Sequence, residues 1–319
     1  MKFVLFLCGF ALAAASQQWE DFKLTHAKAY TNAKEDLYRK AIFESNLKFV
    51  EEHNERFRKG EVTFDVAMNK FGDMTTEEFV AQMTGLDKVD YTEGMELANL
   101  PEKERADAID WRDLGGVSEV KDQGACGSCW SFSATGTVEG ANFVKTGKLI
   151  SLSEQQLVDC STENNGCNGG VVQWAIDYIK SAGGITSEDS YPYEAVEKSC
   201  RFDPSSVVAT VTGYRSIPYG DEKTQASALH DQGPVSVCVD AGHLSFQLYR
   251  SGVYYEPNCK PLSINHGVLA VGYGTESGTD YWIIKNSWGT GWGMSGYMKL
   301  TRNQNNHCGV ATQSCYALA

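Results

Sequence analysis

The stretch Gln123-Gly-Ala-Cys126-Gly-Ser-Cys129-Trp130 decides how this chain is interpreted. Apolar residues then recur at helical spacing, which predicts a helix that begins at or just before Cys129. These residues are Trp130, Ala134, Val138 and Ala141. A thiol at a helix N-terminus ionises more readily than a free cysteine, because the helix dipole stabilises negative charge there. Cys129 is therefore a candidate nucleophile.

Two segments far downstream carry the groups that a catalytic thiol needs. They are Asn265-His266-Gly267 and Asn286-Ser-Trp288-Gly. A thiol requires a neighbouring imidazole to accept its proton, and the imidazole requires a third group that fixes its tautomer and ring angle. His266 and Asn286 are the candidates for these two roles, and the combination indicates thiol hydrolysis.

Cys126-Gly-Ser-Cys129 also suits two other kinds of site. One is a redox Cys-x-x-Cys pair, since such thiols also lie at helix N-termini, and the other is half of a zinc site. Neither accounts for Gln123 or for the Asn-Ser-Trp segment, and the other cysteines form no second closely spaced pair. The residues therefore favour hydrolysis, and neither a metal nor a cofactor is expected.

The composition bounds the class of protein. The chain has 319 residues, of which 42% are hydrophobic, enough for two domains or one large bilobal domain with a sizeable core. Its net charge of −13 opposes binding to nucleic acid or to anionic lipid. We therefore expect neither as a partner.

The N-terminus is typical of a secretory signal peptide. Lys2 provides the positive start, residues 3–12 the apolar run, and Ala13-Ala14-Ala15 the small-residue cleavage site. We assign the signal to residues 1–15 and expect no membrane span. Secretion leads to an oxidising compartment, where the cysteines that remain after loss of Cys8 can form disulfides.

The segment before the cysteine-rich part predicts helices. Between residues 19 and 60, six residues recur at steps of three and four and predict one face of a long helix. They are Glu35, Arg39, Phe43, Asn46, Val50 and Asn54. Thr75 and Glu78 have the spacing of a capping box for a short helix. Residues 87–107 are polar and are expected to form an exposed, cleavable linker.

Beyond Trp111 the pattern changes from helical to β-rich. Ser153 and Gln156 can cap a helix that runs through Cys160, and residues 171–180 predict another. Short β-branched runs follow and predict a mostly antiparallel, barrel-like half. They are Val235–Val239, Val268–Tyr273, Tyr281–Lys285 and Tyr297–Leu300. Two such lobes leave a cleft between them, the usual place for a ligand.

These motifs resemble those of the papain and cathepsin family of cysteine proteases, in particular its cathepsin L branch, over essentially the whole chain. The predicted helix face and residues 67–73 are similar to the family's prosegment motifs, with Val50 where isoleucine is usual and Ala67 in place of a glycine. The resemblance implies an α+β, papain-like fold with a helical lobe and an antiparallel β-barrel-like lobe, preceded by a helical prosegment. It divides the chain into an inhibitory propeptide, 16–105, and a catalytic domain, 106–319.

The resemblance also implies residue roles. Cys129 is the nucleophile, His266 the acid and base, Asn286 the group that orients the histidine, and Gln123 a donor to the oxyanion. Trp288 covers the Asn286–His266 pair. Further cleft residues are Gly169, Gly170 and Asn265, with Gly170 pairing to an extended substrate.

The pocket for the residue two before the scissile bond (P2) is assigned to Val171, Val172, Cys238, Ile264, Gly267 and Gln313. Its apolar walls favour Leu, Phe or Val over Arg, because no carboxylate is present.

The resemblance pairs Cys126 with Cys167, Cys160 with Cys200, and Cys259 with Cys308. Cys238 and Cys315 are left as free buried thiols or as an additional bridge.

The implied partners are protein or peptide substrates, the chain's own propeptide as inhibitor, and cystatin-like inhibitors, and a monomer is expected. We expect acid to weaken the inhibited state by protonating paired carboxylates such as Glu35 or Asp73. Localisation is secreted or lysosomal, and the absence of an Asn-x-Ser/Thr acceptor favours a digestive or extracellular role.

Overall fold

The computed structural model describes residues 17–88, 95–101 and 103–319, so the predicted signal peptide lies outside the described residues. The helices are α1 (17–25), α2 (Ala33–Arg58), α3 (Thr76–Met83), α4 (Cys129–Thr146), α5 (Glu154–Cys160), α6 (Val172–Ser181), α7 (Glu222–Gln232) and α8 (Leu244–Gln247). The strands are β1 (Phe64–Val66), β2 (Ile109–Asp110), β3 (Ile185–Thr186), β4 (Val207–Ala209), β5 (Gly213–Ser216), β6 (Val235–Val239), β7 (Tyr249–Tyr254), β8 (His266–Glu276), β9 (Thr279–Lys285), β10 (Tyr297–Thr301) and β11 (Cys315–Leu318). Short 3-10 helices cover Gly166–Asn168, Pro204–Ser206 and His307–Gly309.

The prosegment helices form where caps and burial favour them. The Asn32 side chain accepts the backbone N–H groups of Lys34 and Glu35 and so begins α2. The predicted face of α2 is confirmed over its centre, since Phe43, Asn46 and Val50 are buried. The predicted capping box at the start of α3 is also confirmed, because the side chains of Thr75 and Glu78 each bond the other's backbone N–H.

Helix α4 is the central element of the helical lobe. Every residue from Cys129 to Ala141 is buried except Phe132, so this helix is covered on all sides and not only on its apolar face. It packs against α6 and against strands β6 and β8. Gly147 ends it in the left-handed conformation, at φ 70°.

A nine-stranded sheet forms the second lobe, in the order β1-β7-β10-β9-β8-β6-β11-β5 with β2 paired to β8. The pairings are antiparallel except that of β7 with β10, as predicted for this half. Strand β8 is longer than its predicted run. The prosegment contributes an edge strand, because Phe64 of β1 is opposite Gly252 of β7.

The two lobes have separate apolar cores. One contains Trp282 and Trp292 of the β-rich lobe, and the other contains Trp130 and Ile176 of the helical lobe. The prosegment adds Phe79 to the first core, so it is docked against the catalytic part rather than tethered beside it. None of the helices in the described ranges has the length and apolar character that crossing a membrane requires.

The described parts of the predicted linker are exposed but held in place. The Ala98 N–H donates to the Ser216 carbonyl at 2.8 Å. The Arg105 guanidinium donates to the Asp231 carboxylate at 2.8 Å, and Lys103 lies 3.0 Å from the same carboxylate. Together these contacts fix the end of the prosegment on β5 and α7.

Candidate active site

Cys129 occupies the first position of α4 and is completely buried. Its sulfur accepts the N–H of Gly267, the second residue of β8, at 3.4 Å. Burial raises the pKa of the Cys129 thiol to about 11, against the opposing effect of backbone N–H groups that include those of Gly267 and Gly85. Because the effect of burial is the larger one, the Cys129 thiol is un-ionised at neutral pH while residues 83–86 cover it.

His266 begins β8 and is oriented by Asn286. Its Nε2 atom is 2.8 Å from Asn286 Oδ1, which also accepts the N–H of Ser287. Because this oxygen can only accept, Nε2 carries the proton and Nδ1 presents a lone pair. The Nδ1 atom is buried without a hydrogen-bond partner, and burial lowers the pKa of His266 to about 4. The ring is therefore a neutral base in this covered state.

Trp288 covers the His266 ring. The two rings stack with centroids 4.4 Å apart and an angle of 24° between their planes. On its other sides the indole meets Phe71 and Phe79 of the prosegment edge-on, at 5.8 and 5.0 Å. Trp288 thus shields the His266–Asn286 hydrogen bond and also holds the prosegment.

The Gln123 side chain is directed into the cleft by two anchors. Its oxygen accepts the Ser287 hydroxyl at 2.7 Å, and its Nε2 donates to the Cys126 carbonyl at 2.9 Å. The same Nε2 donates to the carbonyl of Met83 in the prosegment at 3.2 Å. A prosegment carbonyl therefore takes the donor that the resemblance assigns to the oxyanion.

The prosegment runs through the cleft as an extended strap, defined here as residues 84–88. Gly85 and Leu86 donate their N–H groups to the Asn265 carbonyl at 3.3 and 3.2 Å. Gly170 donates to the Gly85 carbonyl at 3.0 Å and accepts the N–H of Asp87 at 2.8 Å, in a parallel bridge. The backbone groups predicted to pair with substrate are all occupied by the strap.

The Leu86 side chain of the strap lies among apolar residues that were assigned to the P2 pocket from the sequence. It is buried in one cluster with Val172, Cys238 and Ile264, three of the residues assigned to the P2 pocket. The other three residues assigned to this pocket are Val171, Gly267 and Gln313. Val171 is buried, and the Gly267 N–H contacts the Cys129 sulfur. Gln313 donates to the Asp87 carbonyl at 3.3 Å. Gly169, with φ 126°, makes the turn that presents Gly170 to the strap.

Three disulfides are present in the part of the chain that the structure describes. They link Cys126 with Cys167, Cys160 with Cys200, and Cys259 with Cys308, and the free thiols among the described residues are Cys129, Cys238 and Cys315. The Cys126–Cys167 bond leaves Cys126 no thiol, so a redox pair or a zinc half-site with Cys129 has no basis here. Within the described residues, the two groupings close enough to hold a metal both include Cys259, whose sulfur is already in a disulfide.

Some residues of the site were not predicted from the sequence. Ser287 lies inside the Asn286-Ser-Trp288-Gly motif, so its position could have indicated that its hydroxyl bonds another residue of the site. Behind Asn286, a small cavity is lined by a buried charge cluster in which Lys121 lies 2.6 Å from Glu154. Burial raises the pKa of Glu154 to about 7 against the opposing charge of Lys121. Single charged residues far apart in the sequence gave no sign of this cluster.

Comparisons with known proteins agree with this geometry. The family described as "Papain family cysteine protease" matches residues 105–318, and "Cathepsin propeptide inhibitor domain (I29)" matches residues 19–79. Digestive cysteine proteinase 2 of Homarus americanus is 55% identical, over 99% of this chain and 98% of that protein. Cathepsin L2 of Homo sapiens is 45% identical, over 99% of both. Digestive procathepsin L 3 from Tenebrio molitor larval midgut superposes with a TM-score of 0.90 at 48% identity, over 96% of this chain and 99% of that one.

Proposed function

This chain belongs to the papain family of cysteine proteases and is of the cathepsin L type, and we propose that it cleaves internal peptide bonds through Cys129, His266 and Asn286. The observation that carries the proposal is the bond of 2.8 Å between His266 Nε2 and Asn286, which leaves the Nδ1 lone pair free. His266 directly precedes Gly267, which contacts the Cys129 sulfur at 3.4 Å.

The steps follow from this arrangement. Departure of the strap exposes the site to water, so the pKa of Cys129 falls and that of His266 rises, and the proton moves from sulfur to Nδ1. The thiolate attacks the carbonyl carbon, and Gln123 and the Cys129 N–H stabilise the oxyanion. His266 then protonates the leaving amine, and acting as a base it activates the water that hydrolyses the thioester.

Alkylation of the processed enzyme tests this assignment. We expect iodoacetamide to modify Cys129 once and to abolish peptide hydrolysis, as read by mass spectrometry and by residual activity. Cys238 and Cys315 serve as internal controls because both are free, buried thiols. Loss of activity through a label on either of them, with Cys129 unmodified, would refute the role of Cys129.

We infer further that residues 1–15 are a signal peptide, 16–105 an inhibitory propeptide and 106–319 the mature enzyme. The strap supports inhibition, since it bonds to Asn265 and Gly170 and covers Cys129. The names of the Homarus and Tenebrio relatives include the word digestive, which favours secretion into a gut lumen over a lysosomal role. N-terminal sequencing of the secreted and the active forms tests both boundaries.

The P2 pocket gives a specificity prediction. Leu86 in its apolar cluster supports a preference for Leu or Phe, whereas Arg would be desolvated without a carboxylate. We expect kcat/KM to be about 10- to 200-fold higher for a Leu or Phe peptide than for the Arg peptide. Gln313→Glu is expected to narrow this ratio, and Gln313→Asn is its uncharged control. An Arg peptide that is cleaved fastest by the native enzyme would contradict the pocket assignment.

The acid dependence of activation depends on carboxylates that join the prosegment to the catalytic domain. Glu35 is exposed and accepts only from Thr31, while Asp73 pairs with Lys28 and Tyr30, so both stabilise the prosegment itself. Asp65 differs, because it is buried and accepts from Arg250 at 2.9 Å. Ser251 donates to its other oxygen at 2.8 Å.

Asp65 therefore makes a pH-dependent contribution to docking. Burial raises its pKa, but the bonds from Arg250 and Ser251 outweigh burial and hold the pKa below its ordinary value. The contact is fully present above the pKa of the undocked carboxyl, about 3.9, and is lost as the pH falls through the lower docked pKa. Acid thus favours release of the prosegment.

Asp65→Asn is expected to accelerate autoprocessing of the purified precursor at pH 7 by roughly tenfold, because the neutral amide loses the charge-assisted bonds to Arg250. The acceleration should persist at pH 4 and shrink as the pH falls below about 3.9, where the native precursor loses the contact as well. Glu35→Gln is the matched control, since its bonds remain within the prosegment. Equal rates for Asp65→Asn and the native precursor at both pH values would exclude this contact as an acid sensor.

A further inference from the structure

Three thiols outside the disulfides lie where helix α4 packs against strands β6 and β11 of the sheet. Cys129, Cys238 and Cys315 are free and completely buried, and all three lie in the same apolar cluster. The mechanism above uses only Cys129. A second thiol close to a reactive one can alter its chemistry, because an oxidised cysteine condenses with a neighbouring thiol.

The packing of α4 on β6 places Cys238 beside Cys129. Ser133 of α4 bonds Ser236 of β6, with their hydroxyl oxygens 2.7 Å apart. Cys129 precedes Ser133 by four residues and shares its helix face, and Cys238 follows Ser236 by two residues and shares its strand face. The cysteine pair therefore lies one level along from the serine pair, on the same two facing surfaces, and both cysteines belong to one apolar cluster.

Strand β8 fixes the direction of this second contact. Ser133 donates to the carbonyl of Val268, and Cys129 accepts from the N–H of Gly267, one residue earlier. Gly267 is directly opposite Cys238 in the antiparallel pairing of β6 with β8. A Cβ atom on Gly267 would lie 3.5 Å from both the Cys129 carbonyl carbon and the Ser133 Cβ, so this face of β8 is directed at the first turn of α4.

We propose that, in the mature enzyme, a hydroperoxide converts Cys129 and Cys238 into a reversible disulfide that switches hydrolysis off. The Cys129 thiolate attacks the peroxide oxygen, the O–O bond breaks, and the sulfur becomes a sulfenic acid while the peroxide is reduced to water or an alcohol. The Cys238 sulfur then displaces the hydroxyl, which leaves as water with the Cys238 proton. A dithiol restores both thiols by exchange.

This inference rests on the proposed role of Cys129, and two features of the fold make it specific. Cys315 is opposite Ser236 and not opposite Gly267, so it lies one step further from the nucleophile along the sheet. The strap covers Cys129 in the precursor, where the thiol has no exposed surface. Oxidation is therefore confined to the processed enzyme, and the precursor is protected.

The test compares native, Cys238→Ala, Cys238→Val and Cys315→Ala enzymes, each processed from its full precursor. Each is freed of reductant, treated with hydrogen peroxide, quenched with catalase, and assayed before and after dithiothreitol against its own untreated activity. We expect dithiothreitol to restore at least about fivefold more activity to the native and Cys315→Ala enzymes than to either Cys238 variant, in which Cys129 proceeds to sulfinic acid. Non-reducing digestion should yield a cross-linked Cys129–Cys238 peptide about 2 Da lighter than the two free peptides.

Two results would overturn the proposal. One is a native enzyme in which Cys129 is oxidised to sulfinic acid as fast as in the Cys238 variants, with no cross-linked peptide. The other is a bridge between Cys238 and Cys315. Labelling of reduced enzyme with iodoacetamide separates these outcomes from failure of the proposed function, because activity that survives modification of Cys129 would refute the nucleophile itself.

Discussion

Replacing Cys129 by serine is expected to lower kcat/KM for peptide hydrolysis by at least about 10⁴-fold, because a serine hydroxyl in this site cannot ionise as a thiol does. His266 has no carboxylate behind it, only the Asn286 amide, and this partner suits a thiolate–imidazolium pair more than it suits removal of a proton from an alcohol. The purified precursor should also remain uncleaved at acid pH. Both effects are read by initial rates after trans-processing and by gel analysis of the precursor.

Cys315→Ser is the matched control for this substitution, since it replaces another buried, free thiol in the same apolar cluster. We expect it to retain activity within about threefold, with any loss arising from packing. Near-ultraviolet circular dichroism of both variants establishes that the fold is intact. If Cys129→Ser kept a tenth or more of the native kcat/KM, the covalent mechanism would be wrong.

Gly85→Ala is expected to weaken the docking of the strap in the cleft. A Cβ atom on Gly85 would overlap the Gly127 carbonyl oxygen and lie 2.5 Å from the carbonyl carbon, and these are backbone atoms that cannot turn away. Overpacking of this kind costs about 1–3 kcal/mol, which corresponds to roughly a 5- to 150-fold larger population of open precursor. The rate at which iodoacetamide labels Cys129 in the unprocessed precursor measures that population.

Gly291→Ala is the matched control, because it makes the same substitution at a position where a Cβ atom would meet no other atom within 4 Å. Its precursor should be labelled at the native rate. The labelling rate of Gly85→Ala should also reach half its maximum at a lower pH than the native precursor, since exposure lowers the pKa of Cys129. Identical labelling of the two variants would show that the strap tolerates a side chain at this position.

The three residues proposed for catalysis could be picked out of the sequence because each lies in a short motif with distinctive neighbours. Cys129 begins a predicted helix six residues after Gln123, His266 is followed by Gly267, and Asn286 lies two residues before Trp288. The helical lobe and the strands near Val235 and Tyr281 could also be predicted from the sequence, because the spacing of their apolar residues reflects burial. The disulfide pairs followed from family resemblance, since spacing alone does not determine connectivity.

Other features depend on contacts that no local pattern encodes. Strand β1 has three residues, too few for a period, and it exists because β7 pairs with it. Leu86 is one apolar residue ahead of a polar stretch, and its bridge to Gly170 and its burial among Val172 and Ile264 are evident only from the fold. His53 is buried in a highly charged helix because its Nε2 atom meets the Phe64 carbonyl at 3.0 Å. Tertiary packing determined each of these.

Removal of β1 has a consequence for the mature enzyme in solution. The Val253 N–H now donates to the Thr63 carbonyl at 3.1 Å, and processing takes that acceptor away. Strand β7 then becomes the outer border of the sheet, a place where two molecules can join by shared strand pairing. The half-exposed Arg250 side chain and the φ of 91° at Gly252 counter this, since a charge and a backbone bend both hinder alignment with a neighbour. The edge strand that is exposed by loss of β1 therefore has two features that oppose self-association of the mature enzyme.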